Sequence, residues 1–264
     1  MKKYLVIGNP IEHSLSPKLH NYWIKENNID AIYDRKKIDE SNLKNIISEV
    51  KEGKVAGINI TVPFKKAVIS FLDKLSPEAE ITQSVNTIYL QDEKIIGHNT
   101  DIAGFELAIK YSKYDLNNKK IFILGAGGVS PSIIYSLKKM KVSKITLSNR
   151  TQKKAEGLKN LFKDIELVEW GKTVDFDMII NATSIGLKNE DNINLDYSLI
   201  GPNKFFYDVI YNPKQTNFLK KAKELGNQTE NGKMMFIYQA HQSFTIWHKV
   251  FPKIDSETIK LLDE

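Results

Sequence analysis

Ile121-Phe122-Ile123-Leu124-Gly125-Ala126-Gly127-Gly128-Val129-Ser130 is the stretch that decides the fold of this 264-residue chain. Its continuous apolar start is the pattern of a strand buried on both faces. Glycines follow at once, and a helical segment then runs to about Met140. Gly125 permits a tight turn and Gly127 lets the backbone approach a pyrophosphate. Ser130 is small enough for the helix to pack closely on the strand. The helix start offers N–H groups and a partial positive charge to a phosphate. In this strand–turn–helix setting, 125–129 (Gly125, Ala126, Gly127, Gly128, Val129) is expected to bind a dinucleotide. Pro131 falls in the first helical turn, where a missing N–H costs little.

The next strand, over 144–147, runs into Ser148-Asn149-Arg150-Thr151. An NAD site usually carries an acidic residue here, about 20 residues beyond the glycines, for the ribose 2′-hydroxyl. This chain has Asn149 and Arg150, followed by Lys153 and Lys154. A guanidinium binds a 2′-phosphate that a carboxylate would repel, so the expected cofactor is NADP. Further buried strands are expected over 178–180 and 204–210. Asn181-Ala182-Thr183-Ser184-Ile185-Gly186, after the first of these, suits a nicotinamide or ribose contact and equally suits a plain turn.

Working toward the N-terminus, strands are expected over 4–7, 31–33 and 57–62, the last ended by Pro63. Ser16 reads as an N-cap with Pro17 at the first helical position. Residues 41–51 have helical spacing in Leu43, Ile46, Ile47 and Val50. Residues 67–75 read as helical, 85–90 with 94–97 as a hairpin, and 101–114 as a helix. Two helices, near 234–250 and 256–262, close the chain. This strand–helix rhythm predicts an α/β protein with a doubly wound parallel sheet. Two halves separate near 101–118.

Composition narrows the function. Hydrophobic residues at 41% and charged residues at 27% are those of a globular chain able to bury its own core. No cysteine is present, so disulfides, thiolate metal sites and cysteine nucleophiles are excluded. The excess of 38 Lys and Arg over 32 Asp and Glu is scattered among acids. It reads as solvated surface with an anionic ligand, not as a nucleic-acid partner. No apolar run approaches the roughly 18 residues of a spanning helix, so no membrane partner is expected. The start, Lys2-Lys3-Tyr4-Leu5-Val6-Ile7-Gly8, is too short in apolar residues for a signal peptide and reads as the first strand of a cytoplasmic protein. None of the five histidines forms a metal-ligand pattern, so no metal is expected.

Three polar clusters flank the N-terminal strands. Ser14 and Ser16 alternate beside a helix start and suit a carboxylate, or they serve only as caps. Asn59 and Thr61 share one strand face by period two. Lys65 lies just beyond Pro63, and taken alone it reads as a solvated surface lysine. Asn86 and Asp101 are placed to meet hydroxyl groups, and Asp101 reads equally as the N-cap of the helix after it.

The combination of blocks resembles the shikimate dehydrogenase family over nearly the whole chain. The matching blocks are GNPIEHSLSPKLHN (8–21), NITVPFK (59–65), VNT (85–87), GHNTDIAGF (97–105), GAGG (125–128), NRT (149–151), NATSIG (181–186), YNP (211–213) and QA (239–240), in the family's order. The resemblance implies NADPH-dependent reduction of 3-dehydroshikimate to shikimate, in aromatic amino-acid biosynthesis. Lys65 would be the acid/base, with Asp101 as the group that orients it. Ser14 and Ser16 would hold the substrate carboxylate with Thr61 and Tyr211 nearby, and Asn86 and Gln239 would bind ring hydroxyls. Arg150, with Asn149, Thr151 and Lys154, would meet the cofactor's phosphate end, Gly232 would lie close to its nicotinamide, and Thr183 would be among the cofactor-binding residues. Two α/β domains are implied. A substrate domain over 1–101 is completed by 235–264, and a Rossmann-type NADP domain covers 102–234, with a cleft between them that closes on ligand. A homodimer is compatible with this picture. The chain departs from the family's pattern at Gln83-Ser84, Pro131 and Met234, none of them a catalytic position.

Overall fold

A computed structural model describes residues 1–188 and 190–263. Asn189, in the polar loop after NATSIG, and Glu264, the last residue assigned to the substrate domain, lie outside the described residues. The chain divides into two compact units, one of Met1–Gly104 with 237–263, the other of Phe105–Phe236.

In the first unit the chain order is β1 (Lys2–Gly8), α1 (Ser16–Glu26), β2 (Ala31–Lys37), α2 (Leu43–Lys51), β3 (Gly57–Ile60), β4 (Lys74–Leu75), α3 (Pro77–Thr82), β5 (Thr87–Gln91) and β6 (Lys94–His98). The sheet order is β2-β1-β3-β5-β6-β4. β1 runs parallel to β2 and β3, whereas β5 is antiparallel to both β3 and β6. α2 turns Leu43, Ile46, Ile47 and Val50 inward, as its 3-4 spacing requires. These residues meet Leu5, Ile7, Ile58, Ile60 and Ile88 in one core.

Three local expectations are corrected here. Helix α1 begins at Ser16 itself, after Leu15, and among the described residues no side chain caps it. Instead the Ser14 hydroxyl accepts from the Ser16 N–H at 3.3 Å. Strand β3 stops at Ile60, before Thr61. The helix expected over 67–75 is a short 3-10 turn, Ala67–Phe71, followed by strand β4. Asp73 explains the change. Its N–H donates to the Ile95 carbonyl at 3.0 Å, and its carboxylate accepts from the Ile95 N–H at 2.8 Å. Pairing with the sheet edge thus outcompetes a helical pattern. Helix α3 has a clear local cause. Ser76 caps it, accepting from Ala79 N–H, and Pro77 opens it.

α4 (Asp101–Ser112) comes next, and the division between the units falls within it. The second unit then builds β7 (Lys120–Leu124), α5 (Ser130–Lys139), β8 (Lys144–Ser148), α6 (Gln152–Leu161), β9 (Glu166–Val168), β10 (Met178–Asn181), β11 (Phe205–Asp208), α7 (Asn217–Glu224) and β12 (Gln228–Glu230). Its sheet order is β12-β11-β10-β7-β8-β9, with every pairing parallel. Counted from β7, this is the doubly wound order of dinucleotide-binding sheets, and the order reverses between β7 and β10. Register aligns the strand ends there, Leu124 pairing with both Ser148 and Asn181, and Asn181 with Asp208. α8 (Lys233–His248) and α9 (Ser256–Leu261) end the chain, with the second division inside α8. Among the described residues no helix is long and apolar enough to cross a membrane.

Candidate active site

In the first unit, backbone pairing gathers the polar residues. The Val85 N–H donates to the Lys65 carbonyl at 2.8 Å, the Ile60 N–H to the Asn86 carbonyl at 2.9 Å, and the Asn86 N–H to the His98 carbonyl at 3.0 Å. The segments 59–65, 84–87 and 98–101 are therefore neighbours. Lys65 is only 9% exposed and Asp101 only 5%, which corrects the reading of Lys65 as a solvated lysine. The Lys65 Nζ donates to Asp101 Oδ2 at 2.5 Å. Asp101 opens α4, but its carboxylate does not cap that helix. The Asp101 N–H is instead accepted by Asn99 Oδ1 at 3.1 Å, which leaves the carboxylate for Lys65 and Asn86.

Asn86 donates from Nδ2 to Asp101 Oδ1 at 3.0 Å and to Gln239 Oε1 at 3.5 Å. Its Oδ1 accepts from the Thr100 N–H at 2.8 Å, which fixes which way the amide faces. Removing either member of such a buried ion pair leaves the other charged and desolvated, at a cost of about 3–5 kcal/mol. A supporting layer lies behind Asn86. The Tyr33 hydroxyl donates to Asn59 Oδ1 at 2.7 Å, and Asn59 Nδ2 donates to the Asn86 carbonyl and to the Thr87 hydroxyl. The only sequence signal for it was the Asn59 side-chain position on β3. Ser14 and Thr61 are half-buried and Ser16 is buried.

In the second unit the glycine turn is held from several sides. Gly125 has φ +109°, and a Cβ there would lie 2.8 Å from the Ala182 carbonyl, so glycine is required. The Ser130 hydroxyl donates to the Gly125 carbonyl at 2.8 Å and accepts from the Gly127 N–H at 3.1 Å. Asn149 Oδ1 accepts from the Ala126 N–H at 2.9 Å, and its Nδ2 donates to the Thr151 carbonyl at 2.7 Å. Two of the amides expected to face a phosphate are therefore engaged inside the protein. Ser130 acts as a clamp besides being small. Asn149 braces the turn and the following loop, at the position where an NAD site would carry an acid.

Gly127 and Gly128 are exposed, and Ala126 and Val129 half-buried. Arg150, Lys153 and Lys154 are exposed beside Thr151, and no acidic side chain pairs with any of the three among the described residues. Thr183 is half-buried, its hydroxyl donating to Asn181 Oδ1 at 2.7 Å. Tyr211 stacks on Phe236 with ring centroids 4.4 Å apart, and Gly232 is buried beside Val209. Lys65, Asp101, Asn86, Gln239, Ser14, Ser16 and Thr61 thus belong to the first unit. Tyr211, Thr183, Gly232 and the glycine turn belong to the second. No cluster of three or more potential metal ligands occurs among the described residues.

Two family models match the chain. The shikimate dehydrogenase substrate binding domain covers residues 6–88, and shikimate / quinate 5-dehydrogenase covers 106–188. The shikimate dehydrogenase (NADP(+)) of Pelagibacter ubique is 62% identical over 262 residues, 99% of each chain. The crystal structure of shikimate dehydrogenase from Aquifex aeolicus aligns with a TM-score of 0.90 at 37% identity, covering 100% of this chain and 96% of that one. The Thermus thermophilus enzyme, in complex with NADP(H) and shikimate, aligns with a TM-score of 0.90 at 28% identity, covering 100% and 99%.

Proposed function

Because this chain belongs to the shikimate dehydrogenase family, we propose that it reduces 3-dehydroshikimate to shikimate with NADPH, Lys65 serving as the acid/base and Asp101 orienting it. The observation that carries this reading is the buried Lys65–Asp101 pair braced by Asn86. NADPH, when bound, supplies a hydride to the ketone carbon.

The residues present fit that cofactor. Gly125 has no room for a side chain, and Arg150 and Lys154 are cations without an acidic partner among the described residues, where a 2′-phosphate would lie. Residues 125–129 with Asn149, Arg150, Thr151, Lys154, Thr183 and Gly232 would hold it.

Negative charge builds on the ketone oxygen during reduction, and that oxygen must end as a hydroxyl. An ammonium carries three N–H donors. One from Lys65 goes to Asp101, which leaves others to meet the reacting oxygen, stabilise its charge and transfer the proton. Asp101 remains a carboxylate throughout, one oxygen on Lys65 and the other on Asn86. In a site this dry the pairing is stronger than in water and holds the Nζ in place. The amine left on Lys65 regains its proton from solvent before the next turnover. In the reverse direction Lys65 takes the proton from the substrate hydroxyl. Ser14, Ser16 and Thr61 supply hydroxyls for the substrate carboxylate, and Asn86 and Gln239 meet the ring hydroxyls. A reductant regenerated inside cells goes with a cytoplasmic enzyme.

The test is the absorbance loss of NADPH with 3-dehydroshikimate, repeated with NADH, and with quinate in the reverse direction. Turnover with NADPH far above that with NADH is expected. No turnover with either cofactor would refute the reading.

A further inference from the structure

Asp208 ends strand β11 and is fully buried, yet no cation pairs with it among the described residues. Its Oδ1 accepts from Asn181 Nδ2 and from the Ile210 N–H, each at 3.0 Å, and its Oδ2 accepts from the Thr216 hydroxyl at 2.6 Å. A buried carboxylate without a counter-ion is costly, and three donors offset that cost. Burial still pushes the group up to about 6, against the lowering effect of the Thr216, Ile210 and Asn181 hydrogen bonds.

An ionised carboxylate only accepts, and that fixes the direction of the bonds around it. Asn181 must turn its NH2 toward Asp208, where the same group also donates to the Ile185 carbonyl at 3.0 Å. Its carbonyl oxygen is then forced toward Thr183 and accepts from both the Thr183 N–H, at 3.1 Å, and the Thr183 hydroxyl, at 2.7 Å. With its proton committed, the Thr183 hydroxyl oxygen accepts from the Ile185 N–H at 3.0 Å. The orientation of one buried carboxylate thus passes through one amide into the loop 183–185. The same carboxylate holds the Ile210 N–H. The Ile210 carbonyl in turn accepts from Gly232 N–H at 3.1 Å, where a Cβ would lie 2.0 Å from the Val209 carbonyl.

We propose that Asp208 is a positioning residue for the cofactor's nicotinamide side, acting through Asn181 on Thr183 and through Ile210 on Gly232. The proposal rests on the reading of Thr183 and Gly232 as cofactor residues. The full-length protein is titrated with NADPH and, separately, with shikimate, and steady-state KM values are measured for both substrates.

Asp208→Ala leaves the Ile210 N–H without its carboxylate partner and the Asn181 NH2 with the Ile185 carbonyl in place of two acceptors. NADPH affinity should fall about tenfold or more, by the loss expected for unsatisfied buried donors, and shikimate affinity should change less. Asp208→Asn should recover most of the NADPH affinity. Its carbonyl still accepts from Asn181 and Ile210, while Thr216 turns to accept from the new NH2. Asn181→Ala should reproduce much of the Asp208→Ala defect, and the double variant should lose less than the sum of the two.

An unchanged NADPH affinity in Asp208→Ala, equal losses for both ligands, or full additivity with Asn181→Ala overturns the proposal. If Asp208→Ala does not fold, Asn181→Ala decides. A wild-type NADPH affinity in that variant overturns the proposal as well. Failure of the wild-type protein to bind NADPH would instead sink the functional reading beneath it.

Discussion

Acid should destabilise this protein through His20, and His20→Phe should remove that effect. His20 is 1% exposed, stacks on Tyr33 with centroids 4.1 Å apart and 8° between planes, and touches Trp23, Phe244 and Trp247. Neither of its ring nitrogens has a hydrogen-bond partner among the described residues. Burial pushes the imidazole down to about 3, and the nearby His248 adds to the effect. In the unfolded chain the ring takes a proton near its ordinary 6.5. As pH falls below that value the unfolded state gains a proton that the folded state refuses. The stability is therefore present above about 6.5 and lost down to about 3. At about pH 5 the gap is about 1.5 units, worth about 2 kcal/mol at 1.36 kcal/mol per unit.

Asp208 works the other way, because its carboxyl is raised to about 6 and favours the fold as pH drops through that value. The wild-type slope alone is thus a mixture, and the informative quantity is the difference between the variant and the wild type. Phe keeps the ring stack and deletes the two unpartnered nitrogens, so near neutral pH the variant should be at least as stable. Urea unfolding followed by circular dichroism at about pH 7.5 and about pH 5 supplies the difference. The variant should gain about 2 kcal/mol on the wild type between the two. Parallel pH dependence in the two proteins would show that His20 is not the acid-sensitive group.

Three further outcomes follow from the same geometry. Lys65→Ala should lower kcat about 10²-fold or more with KM little changed, the scale of a lost general acid–base group, and a wild-type kcat removes Lys65 from the proton transfer. Arg150→Ala should raise the KM for NADPH about tenfold or more, the weight of a charge-assisted contact, and leave that for NADH nearly unchanged. An unaltered cofactor preference would take Arg150 out of the 2′-phosphate contact. Gly125→Ala, forced to φ +109° with its Cβ against the Ala182 carbonyl, should lose NADPH binding before shikimate binding, by separate titrations. Equal retention of both ligands would mean that the turn tolerates a side chain.

Much of the second unit was legible because its signals are local. A buried parallel strand is apolar throughout, a glycine turn has few alternatives, and Asn149-Arg150 follows the next strand at a set distance. The first unit was less legible wherever a partner distant in sequence decided the outcome. Residues 67–75 read as helical, and the β6 edge, through Ile95 and Asp73, draws part of them into a strand. The Ser76-Pro77 start of α3 is by contrast a local signal. Asp208 carried no signal at all, since an aspartate after an apolar run resembles any loop carboxylate.

The sequence by itself determined the class of fold, the nucleotide turn, the cations beside it and the family to which the chain belongs. These depend on residue type and short spacing, which backbone geometry and packing periodicity translate directly. Only the tertiary structure decided that Lys65 is buried against Asp101, 36 residues away, and that Asn86 reaches Gln239 across 153 residues. It likewise decided that Asn149 and Ser130 use their side chains to hold the turn. The physical reason is desolvation. Whether a polar side chain is solvated or must find a partner depends on what packs around it, and those neighbours come from elsewhere in the chain.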